Sequence, residues 1–283
     1  MTTGSRDSHL DAELVFDRVL SRDESLDLIQ DMLVRRAPRW ASGLRIWRGP
    51  TDQRPIDARS PGSLRAAVQA ACREVGDTYR NLVEKEGTPP HDRSVGSVEL
   101  RGDEPALVVV VSLDDLVSSP LGTRTHLGNA VALQVRAPRV GEWAGEEWLA
   151  GAFEEACATC TPAWARAGTP PEYRSQVMSA TPARPVGRDF GRYLPGLFWL
   201  NYFGRRYSDL IGHQRLLSAP EVDVKATSDG VLLRVSDVPW DWASQAVADR
   251  AARVMAHLGT EYFFDRNQPG RSTLAPEWPR WDR

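Results

Sequence analysis

Tyr193-Leu194-Pro195-Gly196-Leu197-Phe198-Trp199-Leu200-Asn201-Tyr202-Phe203-Gly204 is the stretch on which the fold turns. In an extended chain, alternation sends Leu197, Trp199, Asn201 and Phe203 to one side and Phe198, Leu200 and Tyr202 to the other. Both sides are apolar, so the strand predicted over 196–203 is covered on both faces. Asn201 is the polar exception. Burying its amide without partners would cost ~1–3 kcal/mol, and the turn at Gly204 is the expected source of those partners. A short helix is predicted next over 205–212. A hairpin follows, 222–227 with 231–235, because Ser228-Asp229-Gly230 supplies the positive φ that a tight turn uses. A helix over 244–258 completes this part.

Working back towards the N-terminus, 169–191 is rich in proline and without hydrophobic period, which makes it the expected connector. Upstream, a helix is predicted over 146–167, its stripe being Leu149, Phe153, Ala156, Cys157, Cys160 and Trp164. Three strands, 95–100, 106–113 and 130–135, follow one another closely and predict an antiparallel meander. Further strands are expected at 14–16 and 44–47. Ser21-Arg22-Asp23-Glu24 has capping-box spacing and opens a helix over 23–36. A second helix starts at Ser63, with Leu64, Ala67, Val68, Ala71, Cys72 and Val75 on one face. Runs of adjacent strands mixed with helices indicate an α+β fold, with mixed or antiparallel sheets packed against amphipathic helices. Two lobes are expected, 1–168 and 192–265, joined by 169–191 and followed by a tail, 266–283, that carries Trp278 and Trp281.

Charge narrows the function classes. Thirty-five basic and 38 acidic side chains leave a net charge of −3, which gives no general positive field for coating nucleic acid. The N-terminal residues lack a signal peptide's apolar core, so the expected compartment is the cytoplasm. The longest apolar run, Ala106 to Val111, is far shorter than the ~20 residues of a membrane span. Three cysteines make no disulfide framework.

Chemistry-bearing patterns are sparse. Cys157-Ala158-Thr159-Cys160 has the spacing of zinc ribbons and redox pairs, yet it lies on the apolar face of a predicted helix and has no second ligand pair. The histidines, His9, His91, His126, His213 and His257, never stand four apart as in a metalloprotease helix. No nucleophile elbow and no phosphate-cradling glycine loop is present, and no cofactor is expected. Asp114-Asp115 closes a strand as turn residues do. In Asp223-Val224-Lys225 the acid and the lysine project from one strand face, as in metal-dependent nucleases, where the acid holds the metal and the lysine assists water. Asp209 is the nearest candidate for the further acid, so a nuclease is the alternative reading. Finally, Glu142, Glu146, Glu147, Glu154 and Glu155 predict an acidic ridge suited to docking a basic partner, next to an arginine-rich stretch running from Arg166 to Arg215.

The stretch 193–204, with Tyr207, Leu210, Ile211 and Gly212 and then Leu216-Leu217-Ser218-Ala219-Pro220, resembles the C-terminal signature of bacterial immunity proteins from polymorphic-toxin and type VI secretion systems. It is most similar to the immunity protein 52 family. The resemblance covers roughly the last third of the chain. Its core, Pro195, Gly196, Trp199, Asn201 and Gly204, is expected to be structural. The resemblance implies a protein that acts by binding a cognate toxin of nuclease type in the producing cell, with no catalytic residues, no metal and no direct contact with nucleic acid or membrane.

Overall fold

The computed structural model describes residues 8–17, 27, 45–49, 52–57, 60, 62–67, 70, 97–101, 106–112, 117–118, 124–125, 130–137, 145–178 and 190–277. In chain order its strands are β1 (Ser8–Val15), β2 (Arg45–Gly49), β3 (Asp52–Pro55), β4 (Ser97–Arg101), β5 (Ala106–Ser112), β6 (Val117–Ser118), β7 (Arg124–Thr125), β8 (Ala130–Ala137), β9 (Trp164–Gly168), β10 (Leu200–Gly204), β11 (Asp223–Ala226) and β12 (Gly230–Arg234). The helices used below are α1 (Gly145–Cys160), α2 (Pro170–Val177), α3 (Arg205–Ile211), α4 (His213–Leu217) and α5 (Gln245–Leu258). The chain divides into two compact units, Met1–His9 with Arg18–Trp148, and Leu10–Asp17 with Leu149–Arg283. Both are antiparallel sheets accompanied by helices, an α+β architecture.

The first unit holds strands in the order β8-β5-β4-β2-β3. The predicted meander is present: Val110 of β5 faces Glu99 of β4 on one side and Ala132 of β8 on the other. The helix expected from Ser63 occupies 62–67 and buries Leu64. Apart from Ala70, which is also helical, the rest of that helix, most of the helix at 23–36, and Asp114-Asp115 lie outside the described residues.

The second unit is a sheet in the order β11-β12-β10-β9-β1. Its register places Glu13, Arg166, Asn201, Leu233 and Val224 in one row across all the strands, and Leu14, Ala165, Tyr202, Leu232 and Lys225 in the next row. Adjacent rows face opposite ways. Helix α2 lies over the Arg166 side, where Tyr173 meets the guanidinium, and α1 lies over the other, where Glu154 meets Lys225.

Two predicted elements are corrected here. The helix expected over 146–167 ends at Cys160. Pro162 has no amide to continue it, Thr161 adopts φ 45°, and the chain leaves as the buried strand β9. Trp164 is therefore a sheet residue, its ring 5.0 Å from Phe190 and 6.1 Å from Phe198. The expected connector contains the helix α2. Thr169 and Glu172 form a capping box, with prolines at the first helical positions, where a missing amide costs nothing.

The strand expected over 196–203 begins only at Leu200. Asn201 explains the delay. Its Oδ1 accepts from the Phe198 amide at 2.9 Å and its Nδ2 donates to the Phe198 carbonyl at 2.7 Å. The side chain thus completes the backbone of Phe198, which the ladder leaves unpaired, and Gly204 plays no part in satisfying it. The hairpin β11–β12 forms as predicted, but for a different reason. Gly230 is not among the residues at positive φ; glycine is required because a Cβ would collide with the Phe203 carbonyl and the Tyr202 ring.

Candidate functional site

The densest polar chemistry of the second unit is sealed inside it. Arg166, 4% exposed, donates from Nη2 to Asp11 at 3.0 Å and from Nε to Glu13 at 3.3 Å. The Tyr173 ring covers the guanidinium at 3.8 Å from its centroid, with Phe198 beyond at 5.2 Å. Burial opposes this charge, yet Asp11 and then Glu13 outweigh it and hold the guanidinium protonated above its ordinary range. Arg166 Nη1 and Asp11 Oδ1 are enclosed with no hydrogen-bond partner among the described residues.

Glu172 borders the same cluster from α2. Its Oε2 accepts from the Thr169 amide at 3.2 Å. Burial pushes its carboxyl up to about 8, against the lowering pull of the Thr169 amide and of Arg166. Gly168 makes room for Glu172, since a Cβ there would collide with Oε2.

Sequence alone names Arg166 only as the start of the arginine-rich stretch 166–215 and does not connect it with Asp11, Glu13 or Glu172. The signals are nevertheless present. Leu10-Asp11-Ala12-Glu13-Leu14 alternates as a strand with one acidic side, and Thr169-Pro170-Pro171-Glu172 is a capping box. Helical spacing carries the predicted helix of 146–167 through Arg166 and so hides its place on a strand.

The signature residues all serve the core. Trp199, Asn201, Gly204, Pro195 and Gly196 are buried. Gly196 adopts φ 151°, and a Cβ there would collide with the Gln176 amide. At Gly204 a Cβ would collide with the backbone carbonyl of Pro162, while the Gly204 amide donates to Ala163 at 3.0 Å.

The acidic ridge is less exposed than its sequence implied. Glu147 is exposed, whereas Glu146, Glu154 and Glu155 are half-buried, and Glu142 lies outside the described residues. Glu154 accepts from Lys225 at 2.7 Å, so β11 neutralises part of the ridge. Beside that pair a pocket of about 180 Å³ is lined by Leu200, Leu232, Asp223 and Arg234 among others.

Asp223 and Lys225 do share a face, but Asp209 sits on α3, 4.0 Å from Arg205. Among the described residues no three carboxylate, histidine or cysteine side chains gather as metal ligands would. Cys157 is buried, and burial pushes its thiol well up, with Cys160 adding to the effect; such a thiol is a poor nucleophile. His257 approaches Ser218 Oγ at 3.3 Å and the Arg215 carbonyl at 2.9 Å through the same Nε2. That nitrogen must donate to the carbonyl, so it is no base for the serine.

Fold and site together define an α+β protein whose antiparallel sheet is pinned by a sealed ionic cluster. No protein-family model matches the chain, the immunity protein 52 family included, and no curated protein matches it in sequence. Among solved structures the chain is similar to the Pseudomonas aeruginosa T6SS protein PA0821, at 13% identity, covering 88% of this chain and 75% of that one with a TM-score of 0.49. Among the described residues no helix is long and apolar enough to cross a membrane.

Proposed function

We propose that this chain is an immunity protein, which binds a secreted toxin of nuclease type in the cell that makes it and so neutralises that toxin. The observation that carries the reading is the stretch 193–204. Its resemblance to immunity-protein signatures rests on residues that here are buried, with Gly196 and Gly204 fixed by close approach and Asn201 by its hydrogen bonds to Phe198. The signature therefore supports kinship in scaffold and leaves contact with the partner to the exposed surface. Glu147, exposed on α1, is the favoured contact there, with Glu146, Glu154 and Glu155 beside it.

Co-expression with the toxin encoded next to this gene tests the reading. Rescue of growth and co-purification as a one-to-one complex are expected, and the absence of both overturns it. Reversing Glu146, Glu147, Glu154 and Glu155 to lysine should slow association far more at low salt than at high salt, as screening by a Debye length of ~10 Å at 0.1 M requires. Unchanged association rates would remove α1 from the interface. The purified protein is expected to leave DNA and RNA intact in magnesium or manganese. Cleavage that Lys225→Ala abolished would replace this reading with the nuclease one.

A further inference from the structure

Strand β11 ends its sheet, pairing with β12 alone among the described residues. Two hydrogen bonds fix which of its backbone groups point outward. The Thr227 amide donates to the Gly230 carbonyl at 2.9 Å, and the Val235 amide donates to the Trp199 carbonyl at 2.9 Å. Residue 230 of the partner strand thus faces β11, and residue 235 faces β10. Alternation along an antiparallel ladder then turns Lys225 and Asp223 inward to β12 and leaves the N–H and C=O of Val224 and Ala226 on the open edge.

Edge strands usually carry a guard against pairing, most often a lysine. Lys225 is badly placed for that duty, because its ammonium is held by Glu154 at 2.7 Å on the α1 side. The turn before the strand is also fixed, since Arg253 grips the Glu221 carboxylate at 3.0 Å and 2.5 Å.

The charges decide what pairs there. An antiparallel partner must place an outward residue opposite an outward residue. Consider a second copy of β11 with the two-fold axis at Val224. Val224 then meets its own equivalent, and Asp223 of each copy stands opposite Lys225 of the other, on the α1 face. An axis at Lys225 would set lysine against lysine, and an axis at Ala226 would set Asp223 opposite Asp229. Like charges directly opposite are destabilising and opposite charges stabilising. Asp-Val-Lys is thus self-complementary in one register. Each lysine has three N–H donors, enough to keep Glu154 and take the second copy's Asp223 as well.

The geometry points to a homodimer formed by antiparallel pairing of β11 with its copy, in the register centred on Val224. This surface is independent of the toxin reading, because it requires only a second copy of the chain. Light scattering and sedimentation on the full chain across a micromolar concentration series test it, and a mass that doubles with concentration is expected.

Asp223→Lys and Lys225→Glu should each weaken self-association at least about tenfold by setting like charges opposite. An equimolar mixture of the two variants should recover the dimer, because their charges are again complementary. Val224→Pro removes an outward amide and spares the ladder to β12; it should abolish the dimer while leaving the circular dichroism and urea midpoint nearly unchanged. A chain that stays monomeric at about 100 μM, well above the micromolar range typical of weak contacts, overturns the proposal. So does a dimer indifferent to Val224→Pro and to both charge reversals, or an edge whose Val224 amide gains protection from hydrogen exchange only when toxin is added.

Discussion

Arg166 shows at the scale of one residue how a buried charge becomes a constraint. Its two carboxylate partners come from β1 and its aromatic cover from α2, so three elements are indexed to one guanidinium. Removing the arginine strands two buried acids, and breaking such a set typically costs ~3–5 kcal/mol. Arg166→Met should lower urea stability by about that amount, and Arg166→Lys should recover little, since an ammonium cannot fork to two carboxylates. A triple replacement of Arg166, Asp11 and Glu13 by apolar residues should be much milder than Arg166→Met alone, as urea denaturation of both variants would show.

Glu172 supplies a pH dependence whose sign follows from its environment. Its carboxyl lies at about 8 in the folded chain, above an unfolded value of ~4.3. The proton is therefore held by the folded state, and the stability it supplies is fully present below the unfolded pKa. That stability is lost as pH rises through about 8. Glu172→Gln should flatten the decline between pH 5 and 9 and leave the variant more stable than the parent at the alkaline end. Equal slopes for the two chains in a denaturation series across that range would contradict this.

Among the elements, the sequence was most readable where local chemistry and tertiary packing agree. The α5 helix begins one residue after Ser244, whose hydroxyl accepts from the Val247 amide at 3.3 Å, and the β11–β12 hairpin forms within a residue of its expected ends. Periodicity fails at 161–168 because Trp164 continues the helical stripe of α1 by spacing alone, whereas Pro162 is the local evidence against a helix. It fails again at 169–177, where the prolines stand at the helix start and open the helix instead of breaking it. The ionic cluster is legible only in its separate parts, the alternating acids of 10–14 and the capping box of 169–172. The two acids of β1 lie more than 150 residues from the arginine, with Arg166 and Asp11 separated by 155, and no local pattern couples them to it. The capping box gives a test at this scale. Thr169→Ala should cost about 1 kcal/mol and raise hydrogen exchange in the first turn of α2 before it affects the sheet. If the amides of β9 and α2 loosen together, α2 is held by packing and not by its cap.

At the scale of the whole molecule, the chain crosses between its two units more than once. Leu10–Asp17 belongs with Leu149–Arg283, although the residues on either side of it belong to the other unit. A fragment covering Leu149–Arg283 therefore lacks β1, leaves one edge of β9 unpaired and buries Arg166 without its acids. It should be poorly soluble and lack a cooperative transition. A synthetic Leu10–Asp17 peptide should restore that transition, and a peptide with Asp11 and Glu13 replaced by asparagine and glutamine should do so far less well. A stable, cooperatively folding fragment without any peptide would show that β1 is dispensable.

The sequence separation of 153 from Glu13 to Arg166 also sets a timetable. A ribosome adding ~5–20 residues per second takes roughly 8–30 s to reach Arg166 after it has made Glu13. For that interval the newborn chain carries β1 without β9, the strand that brings Asp11 and Glu13 their arginine. Chaperone occupancy of the nascent N-terminus, measured on stalled ribosomes, should therefore persist until residues near 168 have left the exit tunnel, and synonymous codons that slow translation before Arg166 should lengthen it.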